Sequence, residues 1–65
     1  MNKYEIMQAV AETRKEIAKF AEDWRDVPGG VRNGCAVADW NSLWQRLEEL
    51  YGELKCAVER ERELA

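Results

Sequence analysis

Residues 39–58, DWNSLWQRLEELYGELKCAV, decide the fold. Within them Trp40, Leu43, Trp44, Leu47, Leu50, Tyr51, Leu54, Ala57 and Val58 recur at spacings of three and four, which at about 100° per residue makes one stripe of an α-helix. Glu49, Glu53 and, further on, Glu63 fall roughly opposite. The stripe is about 140° wide, more than the roughly 100° that one packing partner needs, so it has two flanks. Leu43, Leu50 and Ala57 lie on one, Trp40, Trp44, Tyr51 and Val58 on the other, with Leu47 and Leu54 between. One flank is expected to cover a second helix; the other is then an apolar surface that needs another molecule. Asp39 is the expected N-cap, because its carboxylate accepts free amides and suits the positive end of the helix dipole. Gly52 interrupts the stripe at a cost of about 1 kcal/mol relative to Ala, which points to a close crossing by another backbone.

The partner helix lies upstream. Ile6, Val10, Thr13, Ile17, Phe20, Trp24 and Val27 alternate spacings of four and three, with Thr13 the one polar member. Asn2 caps this helix and Glu5, three residues on, completes a capping box. Pro28, followed by Gly29-Gly30, ends it near Val27. The expected fold is an all-α antiparallel hairpin in one domain, 1–65. Helix 1 occupies about 3–27, a long Gly-rich connection 28–38 and helix 2 about 39–63. Ile6, Val10, Ile17, Phe20, Trp24, Leu43, Leu47, Leu50 and Leu54 form its core, and pairing of the uncovered flanks gives a homodimeric four-helix bundle, the alternatives being a higher oligomer or an obligate hetero-partner.

Composition agrees that the core needs help. A chain of 65 residues seldom gains more than about 3–5 kcal/mol from one core without a staple. With no histidine and only Cys35 and Cys56, no metal site and no cofactor are expected. The helical rise keeps those cysteines too far apart to bridge within one chain, Cys56 being read as half-buried beside the seam and Cys35 as the candidate reactive thiol, although no His or flanking Lys stands in the loop to activate it. The start, MNKYEI, reads as neither signal nor transit peptide, no apolar run approaches about 18 residues, and 35% of residues are charged. The expectation is a cytoplasmic protein without membrane contact. Net charge −3 argues against non-specific nucleic-acid binding.

No catalytic spacing occurs, and the carboxylate pairs Glu12/Glu16 and Glu49/Glu53 fall on solvated faces, so no enzyme is expected. Lys3, Arg14 and Arg25 recur every 11 residues along one edge of helix 1, and in that respect the architecture resembles the small plasmid-encoded RNA-binding hairpin dimers. No motif is shared, and interhelical ion pairs account for the three cations more simply. Glu5, Glu12, Glu16 and Asp23 form an acidic row that reads as a solvated face.

The connection and the start of helix 2 are the expected working surface. Gly29-Gly30 and Asn33-Gly34 let backbone amides converge, with a tight turn at Asn33-Gly34 in a minimal hairpin or a compact loop. Arg32 adds charge, and Trp40, Trp44 and Tyr51 add flat apolar area typical of interface hot spots. The expected function is that of a non-enzymatic protein–protein interaction module, a phage- or plasmid-like regulator or inhibitor that binds and blocks a cellular protein. The residues expected to carry it are Arg32, Asn33, Trp40, Trp44 and Tyr51. The second reading is an oligomer that sequesters a small anionic ligand such as a nucleotide on the loop amides. The third is a hairpin dimer for RNA or DNA.

Overall fold

A computed structural model describes residues 2–64, leaving Met1 and Ala65 outside the described region. Helix α1 spans Lys3–Asp23 and helix α2 Val37–Leu64, with one 3-10 turn, Gly30–Arg32, in the connection; no strand occurs among the described residues. The Asn2 side chain accepts the Glu5 N–H at 2.9 Å, so the predicted cap is in place. Thr13 is buried in the α1 seam, where its hydroxyl donates to the Ala9 carbonyl at 2.8 Å and so carries no unsatisfied polar group into the core.

Both inner helix boundaries differ from expectation. Helix α1 ends at Asp23, four residues before Val27. An α-helix through this segment would need the amide of residue 28 to reach Trp24, and Pro28 has none. The Val27 N–H takes the Trp24 carbonyl instead, at 3.2 Å, just as the Arg25 N–H takes that of Glu22 at 3.3 Å; the turn tightens from four residues to three and the helix stops. Gly29 and Gly30 follow with φ of 83° and 56°, the left-handed backbone that glycine adopts without strain.

Helix α2 starts at Val37, not at Asp39, because Asn33 organises the entry. Its carbonyl accepts the amides of Ala36 (2.8 Å) and Val37 (2.9 Å), its Oδ1 accepts the Cys35 N–H (2.9 Å), and its Nδ2 donates to the Pro28 carbonyl (2.9 Å). Asn33-Gly34 is thus a side-chain-braced turn and not a hairpin. Asp39 sits in the first turn of α2, where its charge still suits the dipole.

The core is the line where the helices meet: Ile6, Val10 and Ile17 from α1 and Leu47 from α2, with Trp40, Leu43, Leu50, Leu54 and Ala57 partly buried against them. Phe20 and Trp24, expected in the core, are only half-buried at the loop end. Ion pairs Lys3–Glu61 (3.0 Å) and Glu16–Arg46 (3.1 Å) tie the open and loop-side halves of the hairpin. The hydrogen bond and charge of Glu61 hold the Lys3 ammonium above its ordinary 10.5. A raised lysine value means that the stabilisation from the Lys3 charge is present below that figure and is lost as pH climbs past it. Two helices cannot enclose one another. The radius of gyration is 15.0 Å, against about 11 Å for a compact chain of this length, and the long axis is 51 Å.

Candidate interaction surface

The surfaces of the hairpin follow from its register. In either helix, stepping three residues back from a core position rotates the side chain by about 60° in one sense, and stepping three forward rotates it equally in the other. Because the helices are antiparallel, each sense leads to the same side of the hairpin on both. Three before the core residues Ile6, Val10, Ile17, Leu47 and Leu54 stand Lys3, Met7, Arg14, Trp44 and Tyr51; these share what we term the front face. Three after Thr13, Leu43, Leu50 and Ala57 stand Glu16, Arg46, Glu53 and Arg60, on the back face, and the Glu16–Arg46 ion pair marks that side directly.

The two faces differ in chemistry. Trp44, Tyr51 and Val58, each seven residues from the next, run up the front of α2 with 44%, 42% and 37% of their surface exposed, while Leu47 behind them keeps 5%. Met7 is half exposed on the same side of α1. Lys3, Arg14, Lys55 and Arg62 flank this apolar line, and Glu48 and Glu59 are acidic residues at its outer edge. A groove of about 390 Å³ opens on the line between Tyr51, Leu54, Lys55, Val58, Glu59 and Arg62. The back face carries the acidic row, and its larger groove, about 570 Å³, is bordered by Ile6, Ala57, Glu53, Cys56, Arg60 and Gly52. A Cβ built on Gly52 meets nothing within 4 Å, so within the hairpin no backbone crosses there.

At the loop end the aromatic rings form a continuous array. Phe20 stacks on Trp24 (centroids 6.0 Å apart) and on Trp40 (5.8 Å), and Trp40 meets Trp44 edge to face at 5.8 Å. The array closes the hairpin on its inner side and leaves Trp44 partly in solvent. Arg32 is exposed on the 3-10 turn above it. Asn33, in contrast, is half-buried and engages its side-chain amide wholly within the loop. Most amides of the connection are engaged too: Gly30, Arg32, Asn33, Cys35, Ala36 and Val37 all donate to loop acceptors. Of the four amides at Gly29-Gly30 and Asn33-Gly34, those of Gly30 and Asn33 are therefore directed inward.

Of the basic row along α1, Lys3 makes an interhelical ion pair, whereas Arg25 lies beyond the helix and pairs at 3.8 Å with the adjacent Asp26. Cys35 and Cys56 are both free and exposed; the expected half-buried position of Cys56 is wrong, because it lies at the open back-face groove. Among the described residues no cluster of His, Cys, Asp or Glu could hold a metal ion, and no helix is long and apolar enough to cross a membrane. No family model matches the chain, and neither a curated protein nor a solved structure matches it.

Proposed function

We propose that this chain is a non-enzymatic protein–protein interaction module, a small regulator or inhibitor, that completes its core as a homodimeric four-helix bundle and engages a cellular protein from its loop end. The observation that carries the reading is the Trp44–Tyr51–Val58 line, large apolar side chains at heptad spacing on a helix whose other flank already covers α1. Trp44 and Tyr51 then belong to the seam between copies, while Arg32 and the edge of Trp40 face outward for the partner. Asn33 shapes the loop that presents Arg32. The inward amides weigh against sequestration of a small anion.

Sedimentation equilibrium at micromolar concentration tests the first half, with a dimer expected. A well-folded monomer whose melting temperature is independent of concentration would sink it. The second half is tested by capture from host lysate with the wild type and with Arg32→Ala. Loss of the captured protein in a variant that still dimerises supports the loop end, and equal capture by both refutes that placement.

A further inference from the structure

We propose that the front face is covered by a second copy of this chain in antiparallel orientation, α2 against α2, about a two-fold axis that passes beside Tyr51. The proposal rests on the reading that another chain covers this flank, and adds which chain and in which direction.

The sequence of the line is symmetric about Tyr51. Trp44 lies seven residues before it and Val58 seven after, so an antiparallel copy sets the large ring of one chain beside the small side chain of the other and Tyr51 beside its equivalent. The groove formed by Tyr51, Leu54, Lys55, Val58, Glu59 and Arg62 is at the level where Trp44 of the second copy arrives. Charge follows the same symmetry. Glu48 stands three residues before Tyr51 and Lys55 four after, both exposed on the outer edge of the line, and among the described residues neither forms an ion pair within the hairpin. In the antiparallel pair, Glu48 of each chain meets Lys55 of the other with an axial offset of about 1.5 Å.

The other orientations lack this match. If both hairpins point the same way, Lys3, Lys55 and Arg62 of the two copies gather at one end, since the Lys3–Glu61 contact places Lys3 level with the last turns of α2. Six cations would then lie close together, offset only in part by Glu59 and Glu61 of each copy. The available area is adequate: a face about 40 Å long and two helices, or about 20 Å, wide presents roughly 800 Å² per copy, the usual size of a stable interface.

Disulfide trapping reads the orientation. In a Cys35→Ser, Cys56→Ser background, Tyr51→Cys should form a covalent dimer under mild oxidation, because residue 51 faces itself. Trp44→Cys alone should not, whereas a mixture of Trp44→Cys and Val58→Cys should give the mixed dimer. Charge exchange supplies a second measure that leaves the apolar line intact. Glu48→Lys and Lys55→Glu should each weaken dimerisation about tenfold, through loss of two ion pairs and gain of two repulsions, and the double variant should recover wild-type affinity. Self-linking of Trp44→Cys, or a double variant as weak as the singles, would overturn the antiparallel seam while leaving dimerisation standing. A wild type that sediments as a monomer would overturn the seam and the homodimer together.

Discussion

The two flanks of α2 begin as equals in sequence, each a row of large apolar residues at helical spacing, and end with opposite physical roles. Leu43, Leu50 and Ala57 turn toward α1 and pack against its seam; Trp44, Tyr51 and Val58 turn about 60–90° away and remain 37–44% exposed. Hydrophobicity did not decide which flank was covered. The larger rings are on the open side, where a single hairpin has no third element to receive them. Burial in a two-layer structure is set by direction from the one available neighbour, so the width of an apolar stripe is a count of the partners that a helix needs.

The contrast can be broken most forcefully at the centre of the covered side. Leu47→Ala, at 5% exposure, should cost about 2–5 kcal/mol in urea unfolding, because the cavity it leaves is walled by α1 and cannot collapse freely. On the open side, Trp44→Ala should leave helicity at high protein concentration intact and weaken self-association by about 2 kcal/mol or more, read by sedimentation. A loss of helical structure in Trp44→Ala that does not depend on concentration would place it with Leu47 in the core and erase the distinction. Gly52→Ala sharpens the comparison on the outer side of α2. With open space around the glycine, the substitution should stabilise the chain by about 1 kcal/mol, and destabilisation there would reveal a backbone packed against it in the assembly. Smallest of all, Arg32→Ala should shift unfolding by no more than about 0.5 kcal/mol, since the side chain is exposed on a turn held by backbone bonds and by Asn33.

The helices and, Trp40 apart, the division of the α2 stripe were legible in the residues because both rest on periodicity, which a packed interface enforces over many turns; Trp40 reads as a member of the open flank but packs against the core. The connection was not, since its conformation depends on single hydrogen bonds. Asn33-Gly34 reads as a tight turn in either a minimal hairpin or a compact loop, and it is the loop that forms: the Asn33 side chain grips Pro28 and Cys35 and its carbonyl starts α2 two residues early. An asparagine two residues before an amide it can bind is a readable signal, but it competes with the stronger dipeptide pattern. The early end of α1 has a similar origin: Pro28 denies an amide to Trp24, four residues upstream, as well as restricting Val27 beside it. Among the expected site residues, Trp44 and Tyr51 were placed by periodicity and are exposed, Trp40 is half-buried under Phe20, and Asn33 is part of the scaffold of its own loop. The segregation of basic front from acidic back was also readable, but only once the two helices were set in register by Lys3–Glu61 and Glu16–Arg46.

The elongation of the hairpin governs how the protein will behave on a sizing column. A radius of gyration of 15.0 Å is that of a compact globular chain of roughly 155 residues, more than twice the 65 present here. A single hairpin will therefore elute early, at the position of a dimer of ordinary shape. A side-by-side pair of hairpins lengthens little while its mass doubles, so association will move the elution volume far less than it moves the scattered-light intensity. Mass read from scattering, and not migration, is the quantity that distinguishes one copy from two.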